Sequence, residues 1–209
     1  MAHNPTIPNL PPPEERFYAN VVKMTSLIRE IVVTANQTGY TDVTPIIIDL
    51  VTKYLENNFD KKGLIEGFII HSHPPSNSQD LNSPLDHTTW DKILAKDETF
   101  FQEKAFDIFK GLPVNSIEAF RKLYIHRNPQ TGKSIISEDN RNAMITFFHS
   151  FVKIAIKYIH AMRQPYASTD SEGKKKYYYR NANFMRGINV LDHAKKWGIN
   201  LEFDVSGAQ

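Results

Sequence analysis

The 209-residue sequence contains no cysteine. This absence excludes disulfide bonds, thiolate metal ligands and cysteine nucleophiles, and it favours a reducing, intracellular and cytoplasmic location. No run of about 18 apolar residues occurs, so we predict no membrane span. The first residues also lack the basic and apolar regions of a signal peptide. The formal net charge of +2 is too small to predict polyanion binding by the whole molecule.

Complete catalytic motifs are missing as well. The sequence has no G-x-S-x-G nucleophile elbow. Residues 130–134 match the end of a phosphate-binding P-loop, but Arg127 stands where the first glycine of that motif is required. We therefore predict a protein that is not an enzyme and that binds no cofactor.

Apolar periodicity is strongest in residues 138–164. Apolar side chains recur there at alternating spacings of four and three, which defines one helix face, and they are Met144, Phe148, Phe151, Ala155, Tyr158 and Met162. Further apolar residues widen this face until little of the helix can meet water, which is typical of a helix at the centre of a domain. The sequence predicts a mainly α fold: one domain over residues 14–209, with about seven to eight helices around this central helix.

Two further segments differ from this helical pattern. Five prolines lie in residues 1–13, which predicts an extended arm. A change of period predicts a small β element, with a hairpin near residues 122–137 and a C-terminal strand at 199–205. An arm and a terminal strand can both dock on another protein. The candidate protein-interaction residues are Pro5, Pro8, Leu10, Pro11, Pro12, Leu201 and Phe203.

The sharpest local motif is His71-Ser-His73-Pro, followed by Ser83-Pro-Leu-Asp86. It resembles the metal-binding stretch of the JAMM-type zinc metalloproteases, which remove ubiquitin-like modifiers. The resemblance implies that His71, His73 and Asp86 bind zinc and that the chemistry is metal-assisted hydrolysis. The gap between His73 and Ser83 is longer than in that family, and no upstream glutamate lies on an evident strand. We therefore predict no metal site, and these three residues are the candidates if one exists.

A basic and aromatic run follows the central helix. It comprises Lys174, Lys175, Lys176, Tyr177, Tyr178, Tyr179 and Arg180. Lysines neutralise phosphates and tyrosines stack on exposed bases, so this run is the candidate nucleic-acid-binding surface. The alternative is a solvated loop end whose tyrosines pack on the domain.

These observations favour a non-enzymatic structural or adaptor component of a larger protein assembly. Its expected partners are other protein subunits, including further copies of itself. Helices rich in Phe, Ile and Asn, with no cysteine, resemble proteins of large DNA viruses, which suggests a virus particle and a capsid-associated role. The alternatives are nucleic-acid binding through residues 174–180 and zinc-dependent hydrolysis through the His-Ser-His-Pro segment.

Overall fold

The computed structural model describes residues 10–57, 60–77, 79–80, 83–109, 112–128, 131–163, 165–169, 171–179 and 187–201. Pro5, Pro8, Phe203 and Arg180, which were named above as candidate interaction or binding residues, lie outside these ranges. Residues 1–9 of the predicted extended arm lie outside them too.

The described chain is mainly helical, as predicted. Its helices are α1 (Pro13–Gln37), α2 (Pro45–Asn57), α3 (Lys61–Ser72), α4 (Thr88–Leu94), α5 (Glu98–Glu103), a 3₁₀ helix (Ala105–Phe109), α6 (Val114–Ile125), α7 (Glu138–Arg163) and α8 (Val190–Lys196). None of these described helices combines the length and apolarity needed to cross a membrane.

Helix α7 is the central helix, as its sequence spacing predicted. Met144, Phe148, Phe151 and Ala155 are fully buried along it, and Tyr158 is almost so. Phe151 packs against three other elements, since its ring centroid lies 4.9 Å from Phe17 on α1, 6.0 Å from Phe68 on α3 and 5.3 Å from Phe109 in the 3₁₀ helix. Burial of such aromatic rings is a large part of the apolar stabilisation of a core.

The predicted small β element is wrong in the described residues. Residues 122–125 belong to α6, because Leu123 and Tyr124 continue a buried helical face that begins at Ser116 and Ile117. The following turn keeps only an isolated bridge between Arg127 and Ser134. Ile199–Leu201 form no strand, and residues 202–205 of the predicted C-terminal strand lie outside the described ranges.

The strands that do form lie elsewhere. Strands β1 (Pro165–Thr169) and β2 (Lys175–Tyr179) pair as an antiparallel hairpin with Ala167 opposite Tyr177. Gly173 in the connecting turn has φ +77°, a conformation that glycine adopts without a steric penalty. The basic and aromatic run predicted as a nucleic-acid surface thus supplies the second strand of this hairpin.

Candidate metal centre

Three histidines from separate parts of the chain meet near one end of the helical domain. His73 follows the last residue of α3, His87 precedes the first residue of α4, and His193 lies in α8. We call these three side chains the histidine cluster. His73 and His193 are buried and His87 is half-buried.

The loop between α3 and α4 brings His73 and His87 together. Its two arms run antiparallel, with a bridge between Pro75 and Leu85. The N–H of Asp86 donates to the carbonyl of Pro74 over 2.7 Å, which closes the loop at its base. His73 and His87 directly flank this closed loop, and their ring centroids lie 5.4 Å apart.

Helix α8 supplies the third histidine. The side chain of Asn189 caps it by accepting the N–H of Asp192 over 3.3 Å. Val190, His193 and Ala194 share its buried face at three- and four-residue spacing. The ring centroid of His193 consequently lies 5.5 Å from His73 and 6.0 Å from His87.

Each histidine of the cluster has a buried ring nitrogen with no hydrogen-bond partner in the described part of the protein. These atoms are Nε2 of His73, Nδ1 of His87 and Nδ1 of His193. Buried polar atoms normally have a partner, so three unpaired atoms in one cluster call for an explanation.

The hydrogen bond of His73 fixes which of its nitrogens carries the proton. Nδ1 lies 2.9 Å from the carbonyl oxygen of Ile69, and a carbonyl only accepts. Nδ1 therefore donates, and Nε2 of the neutral ring presents its lone pair to the cluster. Metal-bound histidines use the same arrangement, in which the second ring nitrogen donates to a carbonyl or carboxylate.

The surroundings of His73 and His193 favour their neutral forms. Burial lowers the pKa of His73 to about 4; His193 and His87 lower it further, while the Ile69 carbonyl and Asp86 oppose the shift. Burial, followed by the neighbouring His87, also lowers the pKa of His193. Neutral imidazole is the form that binds metal ions.

An aromatic side chain packs against the histidine cluster. Trp90 of α4 is fully buried, and its ring lies edge-on to His73 at 4.5 Å and to His193 at 4.8 Å between centroids. An apolar wall of this kind lowers the local dielectric, which strengthens metal–ligand interactions.

The nitrogen spacing is close to that of a metal site. One ring nitrogen from each histidine can be chosen so that all three lie within 4.8 Å of one another. Tetrahedral zinc with bonds of about 2.0–2.1 Å holds its nitrogen ligands roughly 3.3 Å apart. Small rotations of the three rings would shorten the nitrogen–nitrogen distances to this value. Three imidazoles suit zinc, copper, nickel or cobalt ions rather than magnesium or calcium, which prefer oxygen.

The structure places the three metal candidates from the sequence in different surroundings. His73 belongs to the histidine cluster, whereas Nδ1 of His71 lies 2.7 Å from the carbonyl oxygen of Gly67. Residues two apart at a helix end point in different directions, so His71 and His73 do not face one point. Asp86 accepts the N–H of Thr88 over 2.8 Å, and with His71 it lines a separate cleft of about 400 Å³.

Sequence reasoning missed His87 and His193. His87 directly follows the Ser-Pro-Leu-Asp motif. Its position beside that motif is the sequence signal that could have identified it. His193 stands in no metal-binding spacing, and only the packing of α8 brings it to the other two.

The structure describes the other candidate residues in part. Leu10, Pro11 and Pro12 are exposed, and Leu201 is half-buried against the core. Lys174 is exposed, with its Nζ 3.2 Å from a carboxylate oxygen of Glu172.

Comparison with protein-family models gave no match, and neither did searches among curated proteins and solved structures.

Proposed function

We propose that this protein binds one transition-metal ion of the zinc class through His73, His87 and His193, and that the ion has a structural role. The proposal is carried by one observation: three histidines that each keep a buried, unpaired ring nitrogen can bring one ring nitrogen apiece within 4.8 Å of the others.

The energetic argument concerns the unpaired nitrogens. A buried polar group without a partner costs about 1–3 kcal/mol, and each of the three clustered rings keeps one such nitrogen. A bound ion would give all three lone pairs a ligand bond. A single buried histidine is usually a packed core residue, but three imidazoles around one ion match the three-histidine ligand set of zinc sites, in which a water molecule takes the fourth position.

Burial favours a structural ion over a catalytic one. Catalytic zinc keeps a coordination position that water and substrate can reach. The unpaired nitrogens of His73, His87 and His193 are all shielded from solvent. The proposal is therefore compatible with the non-enzymatic role predicted from the sequence.

Calorimetric titration of the chelator-treated full chain with ZnCl₂ tests the proposal. We expect one equivalent of zinc to bind, and binding to weaken by about a hundredfold or more in His73→Ala, His87→Ala and His193→Ala, because each change removes a direct ligand. His71→Ala is the matched control and should bind as the wild type does. Absence of saturable zinc binding, or equal losses in His71→Ala, would contradict the proposal.

A second candidate function is assembly with other subunits, and an exposed apolar stripe on α2 favours it. Ile46, Leu50 and Tyr54 follow one another at four-residue spacing and are 69%, 57% and 38% exposed. The spacing is symmetric about Leu50. Two antiparallel copies of α2 related by a two-fold axis would therefore place Ile46 of each against Tyr54 of the other. The occupant that this symmetry favours is a second copy of the chain.

Sedimentation over a range of concentrations tests this self-association. We expect a dimer that Leu50→Glu dissociates, because the change places a charge at the centre of the stripe. Leu191→Glu is a control of similar exposure, at 51%, on a different helix. A monomeric wild type at every concentration would exclude the dimer.

A further inference from the structure

Helix α8 has few interactions that fix its position in the fold. It has seven residues, Val190–Lys196, and a helix of this length is not stable in isolation. An ion pair joins it to α4, with Nζ of Lys196 3.1 Å from Asp91, but both side chains are over 40% exposed. Exposed pairs of this kind contribute little to stability. Its position therefore depends on what its buried face contacts.

That buried face carries two opposing contributions. Val190, Ala194 and the following Trp197 bury apolar surface, which favours docking. His193 opposes it, because docking removes Nδ1 from water and gives it no hydrogen-bond partner among the described residues. An ion would therefore change the free energy of docking of α8 more than that of any other element.

The other two ligands belong to a part of the fold that does not need α8. His73 and His87 flank the α3–α4 loop, which its own hydrogen bonds close. His73 is also fixed by its bond to Ile69 within the same chain segment. These two histidines form a half-site, and α8 completes it.

We infer that the ion acts as a clasp: bound to His73, His87 and His193, it holds α8 against α4 and α7, and its removal releases α8. This inference rests on the proposed metal binding. It adds that the position of one element, α8, depends on the ion. Release would expose Trp197, whose ring centroid lies 5.3 Å from that of His149 on α7.

Hydrogen exchange of the full-length protein, with ZnCl₂ or with EDTA, tests the clasp directly. We expect zinc to slow exchange of the amides of residues 188–199 by about tenfold or more relative to its effect on the amides of α1 and the first half of α7. His73→Ala is the decisive variant, because it removes a ligand without altering α8. It should abolish the zinc effect on α8, whereas His71→Ala should keep it.

Tryptophan fluorescence gives a second readout that needs no peptide mapping. The chain has two tryptophans, so Trp90→Phe keeps an aromatic ring beside the histidine cluster and leaves Trp197 as the sole tryptophan. In this variant zinc should shift the emission to shorter wavelength and reduce quenching by acrylamide, since docking buries Trp197. Adding His73→Ala should remove both effects.

The outcomes separate the clasp from the metal site itself. Zinc binding in calorimetry with unchanged exchange at residues 188–199 overturns the clasp and leaves the metal site standing. Slowing that is no larger at residues 188–199 than in α1 also overturns it, because global stabilisation alone would produce that pattern. Absence of zinc binding overturns both proposals.

Discussion

Buried histidines in this protein have two different environments. His149 of α7 has a partner, with its Nε2 2.9 Å from the carbonyl oxygen of Ile93. His73, His87 and His193 each keep a nitrogen without one in the described part of the chain. The first arrangement is that of a satisfied core residue, and the second is what marks the cluster as a site.

His149 predicts a measurable loss of stability in acid. Burial lowers its pKa from 6.5; Lys96 and Lys153 lower it further, and the Ile93 carbonyl opposes the shift. Near pH 6.5, His149 therefore takes up a proton in the unfolded chain, whereas in the folded protein it stays neutral until a lower pH. Its contribution to stability is complete above pH 6.5 and is lost as the pH falls toward the lower folded value.

His149→Gln tests this expectation, because glutamine keeps an N–H donor but does not titrate. We expect the free energy of unfolding in urea to fall less between about pH 7.5 and 5.5 in this variant than in the wild type. Both proteins are compared in EDTA, so that the histidine cluster contributes equally. Parallel pH profiles for the two proteins would show that His149 does not titrate differently on folding.

At the scale of elements, apolar spacing was sufficient to predict a helix that is long and has distinct buried and exposed faces. Helix α7 (Glu138–Arg163) covers the predicted range 138–164 except for its last residue, which lies outside the described residues. The β element failed because short segments give ambiguous periods. Leu123 and Tyr124 fit an alternating strand as readily as they fit the end of α6, and tertiary packing selected the helix.

Hairpin β1–β2 is the element on which the nucleic-acid hypothesis depends. Lys174 precedes β2, and Lys175 and Lys176 begin it, so three consecutive positive charges lie where the hairpin turn ends. Phosphate neutralisation by these lysines would make affinity fall steeply with salt.

The triple change Lys174→Glu, Lys175→Glu and Lys176→Glu tests this hypothesis. We expect it to abolish binding of a fluorescent single-stranded oligonucleotide in anisotropy measurements at low salt. The matched control changes Lys53, Lys104 and Lys133, three exposed lysines at separate sites, to glutamate and so alters the net charge equally. Equal loss in the control would assign any binding to net charge alone.

For the molecule as a whole, composition and periodicity predicted the fold class but not the site. A metal site is recognised in a sequence when its ligands are close together at a regular spacing. Here four α-helices, a 3₁₀ helix and the β1–β2 hairpin lie between His87 and His193 in the sequence, and α8 and the α3–α4 loop come together only in the folded chain. The resemblance that selected His71 and Asp86 also included one residue of the histidine cluster, His73.

Metal binding by the folded state alone must raise the stability of the entire molecule. Free zinc at about 100 times its dissociation constant adds about 2.7 kcal/mol to the free energy of unfolding. For a chain of this size, 1 kcal/mol raises the Tm by about 2–4 °C, so we expect an increase of roughly 5–11 °C. Thermal unfolding followed by circular dichroism, with ZnCl₂ against EDTA, measures it. His71→Ala should show the full increase and His193→Ala none, since only the second variant loses a ligand; an equal increase in both would mean that zinc stabilises the protein from another place.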